Sequence, residues 1–125
     1  MQMKLLYLAL AGGLGTLARY GLSGLVSRWP SASFPWGTLV VNIVGCFAAG
    51  SLWSVFEDRI HLSGELRTVV FVGFMGAFTT FSSYILETGH LARDAEWAWA
   101  AGNVLLQNGV GLAALFLGMA VGRLV

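Results

Sequence analysis

Three stretches of this chain carry no charged side chain: Trp29 to Phe56, Thr68 to Leu86, and Trp97 to Gly122. Each approaches or exceeds the roughly 20 residues with which an α-helix, rising about 1.5 Å per residue, crosses a hydrocarbon layer about 30 Å thick. A fourth stretch, Leu5 to Ser27, is interrupted by Arg19 alone. The pattern predicts an all-α membrane protein with four spanning helices at about 5–27, 36–56, 66–90 and 96–123. Composition agrees: of 125 residues 57% are hydrophobic and 10% charged, against about 25% charged in an ordinary soluble domain. So few charges cannot cover the large surface of a short chain in water, so much of that surface is expected to face lipid. A net charge of +1 provides no basic stripe, and nucleic-acid binding is not expected.

The connectors are short. Arg28 to Pro35 holds both prolines, Glu57 to Arg67 is mixed in sign, and His90 to Glu96 is a charged turn, which leaves one four-helix domain over residues 1–125. Trp36 and Trp53 fall near the two ends of the second span, and Trp29, Trp97 and Trp99 near other ends, as interfacial aromatic belts require. The Lys4 and Ala9-Leu10-Ala11 pattern is not expected to be a cleaved leader, because glycine-rich helical sequence continues through Arg19 and three more spans follow. An even number of spans puts Lys4, Arg59, Arg67 and Arg123 on one side and Arg28 and Arg93 on the other. That bias is weak, and it leaves open one fixed topology or insertion both ways with antiparallel pairing. Among the 17 glycines, Gly118 and Gly122 form a GxxxG pattern, and Gly12, Gly13 and Gly15 offer a similar small face for close helix packing. Four short helices enclose little volume, so a pathway through such a protein is expected between chains. Cys46 cannot form an internal disulfide and says nothing about redox compartment.

The third span runs Gly73-Phe74-Met75-Gly76-Ala77-Phe78-Thr79-Thr80-Phe81-Ser82-Ser83-Tyr84. Glycine costs about 1 kcal/mol against alanine in a helix interior, and threonine and serine hydroxyls compete for backbone bonds. A break near mid-membrane is one expectation, with freed carbonyls of the kind that coordinate cations; a continuous helix with serine back-bonding is the other. Phe81 and Tyr84 share a helical face, and rings presented edge-on can contact a small anion; as single rings they equally suit lipid or core. Asn42, with Thr38 one turn before it, either glues helices or solvates an ion. Asn103 and Gln107 repeat the i, i+4 spacing in the fourth span beside Asn108 and could line an inner track. Arg19 either snorkels to the interface or lines a vestibule, and Glu87 lies toward the end of its span. His61 and His90 have no second ligand at metal spacing. No nucleophile grouping, phosphate loop or intramembrane carboxylate pair is present, so no enzyme is expected.

At these residues the sequence resembles the Fluc family, also called CrcB, of small fluoride channels. The likeness runs through Gly12-Gly13-Leu14-Gly15 and Arg19-Tyr20, Gly37-Thr38-Leu39-Val40-Val41-Asn42, and Gly73-Phe74-Met75-Gly76 into Thr79-Thr80-Phe81-Ser82. The resemblance implies a dual-topology antiparallel homodimer in the bacterial inner membrane, with two fluoride pores and a structural sodium ion between the breaks of the third helices. It implies backbone carbonyls of Gly76 and Thr79 as sodium ligands, Asn42 as a polar pore contact, Phe81 as the first pore aromatic, and Ser82 and Ser83 as hydroxyls beside it. Thr38 and Gln107 join that pore set, with Arg19 near a vestibule and Glu87 near a pore mouth. Two positions depart from the family pattern: Tyr84 stands where a second phenylalanine is usual, and Asn103, Gln107 and Gly111 occupy a track that more often carries small hydroxyls or tyrosine. The Tyr84 hydroxyl could donate to fluoride, bind it too tightly or narrow the passage. The implied use is passive export of cytoplasmic fluoride as detoxification. The rivals are a small multidrug-type cation/proton antiporter, which would need a carboxylate in a first helix that has none, and a non-transporting assembly subunit whose polar residues only join helices.

Overall fold

The computed structural model describes residues 2–28 and 33–125. Trp29 and Pro30 lie outside the described residues. Among the described residues, four helices are long and apolar enough to cross a membrane: α1 (Gln2–Val26), α2 (Trp36–Asp58), α3 (Gly64–Arg93) and α4 (Trp97–Leu124). All four expected spans are present, with ends shifted by a few residues.

Glycine sets how the helices meet. A side chain at Gly118 or Gly122 of α4 would collide with the carbonyl of Phe47 or Ser51 of α2, and one at Gly50 of α2 with the carbonyl of Leu115. The GxxxG pattern thus seats α4 backbone-to-backbone on α2, with the two helices running in the same direction, because 47 faces 118 and 51 faces 122. Gly15 makes the matching contact between α1 and the Phe74 carbonyl of α3. Gly13, by contrast, faces open space.

Val41, Met75 and Phe78 form the buried core between α2 and α3. At one end of the bundle Phe34 packs between Trp36 and Trp99, with ring centroids 4.6 and 5.3 Å away. At the other end Arg67 closes α2 by donating to the Phe56 carbonyl at 2.8 Å, and its guanidinium lies over the Trp53 ring. Arg59 donates to the carbonyls of Arg123 and Val125, which brings the ends of α2 and α4 together. Much of the remaining surface is apolar. Leu14, Leu17, Leu105, Leu112, Phe116 and Leu117 are all exposed, and Gly15 is the only buried residue of α1. On helices of spanning length such a surface is one that faces lipid or a partner chain.

The third span is bent. A helical turn capped by Ser63 leads into a π-helical stretch, Val69–Met75, and then a last turn, Gly76–Phe78. Thr79 (φ −86°, ψ 161°) and Thr80 (φ −150°, ψ 113°) are extended, and the helix resumes over Phe81–Arg93. The fourth span carries its own π-helical stretch, Leu106–Val110, beside that bend. A π turn holds an extra residue, which changes which neighbouring side chains face the same way.

Candidate functional site

The bend is held by side chains that replace the lost helical bonds. Thr80 caps the second half of α3: its hydroxyl accepts from the Ser83 backbone N–H at 3.2 Å and donates to the Ser83 hydroxyl at 3.0 Å, with the Ser82 hydroxyl at 3.4 Å. Across the gap, Asn42 of α2 accepts from the Thr80 backbone N–H at 2.8 Å and donates back to the Thr80 carbonyl at 3.0 Å. Its second N–H goes to Gln107 Oε1 of α4, also at 3.0 Å. The Thr79 methyl fills the space that a side chain at Gly45 would need, so α2 lies directly against the bend.

The bend leaves backbone carbonyls without their helical donors. In a continuous helix the Thr80 N–H would bond to the Gly76 carbonyl and the Ser83 N–H to the Thr79 carbonyl. Here the first donates to Asn42 and the second to the Thr80 hydroxyl. The carbonyls of Gly76 and Thr79 thus lose their regular donors, as do those of Ala77 and Phe78, to which the Phe81 and Ser82 N–H groups no longer bond, and Thr79 spends both its own N–H and its hydroxyl on Met75 O, at 3.0 and 2.9 Å.

Beyond the bend, Phe81 is 73% exposed while Tyr84 is 6% exposed. Their rings meet edge to face, with centroids 5.5 Å apart and an interplanar angle of 70°. The Tyr84 hydroxyl accepts from Asn108 Nδ2 at 3.1 Å. Asn42, Phe81, Tyr84, Gln107 and Asn108 line one groove of about 440 Å³, with Gly76 and Thr79 on its wall. Gln107 is buried, and its Nε2 has no partner.

On the other side of the bend, Thr38 donates to Glu87 Oε1 at 2.7 Å, and Glu87 Oε2 is buried without a partner. Thr38, Thr80, Ser83 and Glu87 share a larger cavity of about 760 Å³ with Arg19, Tyr20 and Arg28. Arg19 lines this cavity and makes no ion pair among the described residues.

Every pore residue named from the sequence falls on one of these two cavities or on the Thr80 cap that separates them. Asn103 departs from the expected track. It is fully buried and donates to the Thr88 hydroxyl, which itself donates to the Tyr84 carbonyl, so it joins α4 to α3 away from Gln107. Two roles were not read from the sequence, that of Thr80 as the hub of the bend and that of Asn108 as the partner of Tyr84. A capping signal for the first is present, since an N-cap threonine bonds to the backbone three residues on, where Ser83 stands. For the second, Asn108 lies in the π-helical stretch and the sequence carries no signal that pairs it with Tyr84.

A family model, CrcB-like protein, Camphor Resistance (CrcB), matches residues 6–119 of the chain. A protein of Desulforapulum autotrophicum named Fluoride-specific ion channel FluC is 60% identical over 125 residues, all of both chains. Proteins of the same name from Nitrosococcus oceani and Solidesulfovibrio magneticus are 50% identical over all of both chains and 52% identical over 98% of both chains, respectively. With four spanning helices and bacterial relatives matched end to end, the chain is a multi-pass protein of the bacterial inner membrane, and it belongs to the CrcB family.

Proposed function

We propose that the protein is a fluoride-selective channel that lets cytoplasmic fluoride leave passively across the inner membrane. The observation that carries the reading is the groove beside the bend, where uncharged donors and ring edges meet with no fixed positive charge. Relatives that match the whole chain and are named as fluoride channels support it. Fluoride is small and strongly hydrated, so a pore must replace its water with several donors yet release it, and amides, hydroxyls and ring edges do this without the deep well of an arginine. Hydrogen fluoride enters a cell uncharged and dissociates in a neutral cytoplasm. The anion then leaves down the inside-negative potential, and no coupled fuel is required.

In this reading Phe81, Ser82, Ser83, Tyr84, Thr38 and Gln107 are the pore contacts. Asn42 shapes the wall, since both of its N–H groups are engaged. Arg19 collects anions in the vestibule, and Glu87 with Thr38 lies near a pore mouth. The bend at Thr79 and Thr80, roughly halfway along α3, is a break at mid-membrane. The working unit is an antiparallel, dual-topology homodimer: the 73% exposed Phe81 has no packing of its own on that side, and one chain carries half of the aromatic wall. A structural sodium ion fits the Gly76 and Thr79 carbonyls, which have lost their helical donors and are neutral hard oxygens. Two copies meeting at the bend would supply two such carbonyls each.

The multidrug-type antiporter reading is not favoured, because α1 has Arg19 and no Asp or Glu to carry a proton. Reconstituted liposomes loaded with fluoride decide among the readings. A fluoride channel empties them once the potential is shunted, with no proton gradient applied. A cation antiporter or an assembly subunit leaves the fluoride inside.

A further inference from the structure

Buried donors are nearly always matched, so an unmatched one beside a groove calls for a physical explanation. Gln107 Nε2 is such a donor, and the Tyr84 hydroxyl on the same groove is hydrogen-bonded only as an acceptor. Gln107 is 9% exposed, and its orientation is set by a chain of bonds with one possible direction. The Thr80 backbone N–H can only donate, so Asn42 must turn Oδ1 toward it and its amide nitrogen away. That nitrogen then requires an acceptor, which is Gln107 Oε1. Gln107 Nε2 is left with both protons free.

Tyr84 is held by the same logic from the other side. The Val104 carbonyl can only accept, and it takes one Asn108 Nδ2 proton at 2.8 Å; the other goes to the Tyr84 hydroxyl oxygen at 3.1 Å. The hydroxyl is thereby fixed as an acceptor toward Asn108, and its own proton has no acceptor among the described residues. Gln107 and Tyr84 both line the groove of about 440 Å³. Within the π-helical stretch of α4 the consecutive residues Gln107 and Asn108 reach α2 and α3 respectively.

We infer that Gln107 Nε2 and the Tyr84 hydroxyl form a two-donor cradle for a small anion, with Asn42 and Asn108 as positioning residues that keep both groups presenting protons rather than lone pairs. The inference rests on the fluoride-channel reading and adds the contacts by which this chain would discriminate. A cation entering the cradle meets N–H and O–H protons, not oxygens. A compact anion with concentrated charge gains more from two short hydrogen bonds than a larger halide does. Tyrosine in the place of a second phenylalanine then contributes a ligand of its own, and Asn108, which touches no ion, acts through it.

The test uses the full chain in two measurements. In liposomes, fluoride efflux is recorded against fluoride concentration for the parent, Tyr84→Phe, Asn108→Ala and the double variant. Removing a hydrogen bond to an anion is expected to raise the half-saturating concentration of Tyr84→Phe roughly tenfold or more, while fluoride still passes. Asn108→Ala raises it by less, and adds nothing in the Tyr84→Phe background, because a positioning residue has no effect once its target is gone. In parallel, the side-chain amide resonance of Gln107 is followed in 15N-labelled protein during sodium fluoride and sodium chloride titrations, and it is expected to shift with fluoride alone. An unchanged half-saturation in Tyr84→Phe, or a Gln107 resonance indifferent to fluoride, overturns the cradle. An Asn108→Ala effect of equal size in both backgrounds overturns the positioning role. Because the titration does not depend on conduction, a protein that binds fluoride at Gln107 but passes none keeps the cradle and loses the channel reading.

Discussion

Asn42 of α2 and Thr80 of α3 exchange two hydrogen bonds, the Thr80 N–H to Asn42 Oδ1 at 2.8 Å and Asn42 Nδ2 to the Thr80 carbonyl at 3.0 Å. A side-chain amide thus satisfies both backbone groups of the residue at which the third span bends. Asn42→Ala would leave both groups unpaired away from water. The expected cost is about 2–4 kcal/mol, from roughly 1–3 kcal/mol per orphaned group less some relaxation. Thermal unfolding in detergent should show the loss, together with much reduced fluoride efflux. An Asn42→Ala protein as stable as its parent would contradict the role given to this pair.

The glycines separate by what they touch. Gly118→Ala places a methyl group against the Phe47 carbonyl and should pry α4 from α2, whereas Gly13→Ala enters open space. The expected result is a lower unfolding temperature for the first. For the second, the outcome is unchanged or slightly higher stability, since alanine is favoured over glycine in a helix by about 1 kcal/mol. Thermal scans of both variants in one detergent check the ordering.

Phe81 is the more exposed member of the aromatic pair and meets Tyr84 edge to face outside the buried core. Phe81→Ile should therefore leave the fold and the oligomeric state intact while efflux falls on the order of tenfold or more, as expected when about 1.4 kcal/mol of ring-edge contact with the ion is lost. Size-exclusion chromatography and efflux on the same preparation separate the two effects. Unchanged flux would remove the ring from the pathway.

If the Gly76 and Thr79 carbonyls hold sodium, binding should stabilise the folded assembly by mass action. The unfolding temperature should then rise with sodium concentration at constant ionic strength and not with a bulky organic cation, and exhaustive removal of sodium should depress efflux. Identical melting curves in both salts would argue against a sodium site.

Much of this arrangement was legible in the sequence because lipid imposes simple rules. Uncharged runs gave the four helices, and the GxxxG pattern at Gly118 and Gly122 marked a close helix contact that the structure places on α2. The polar residues Thr38, Asn42 and Gln107 stood out because an apolar span has no other reason to hold them. What the sequence did not convey was which donor meets which acceptor. An i, i+4 spacing put Asn103 and Gln107 on one track, but Asn103 bonds to Thr88 while Gln107 bonds to Asn42. The π-helical stretch at Leu106–Val110 begins between them and shifts the register. Thr80 was one of two adjacent threonines, and only the extended backbone at that point makes it the hub.

In the proposed function the groove beside the Thr79–Thr80 bend passes fluoride and rejects other anions. Anion-loaded liposomes containing the purified protein, with the membrane potential shunted by a potassium ionophore, test it most directly when fluoride and chloride release are followed in parallel. A fluoride-selective groove gives rapid fluoride loss with chloride retained. Equal release of both anions, or no release of fluoride, would contradict it.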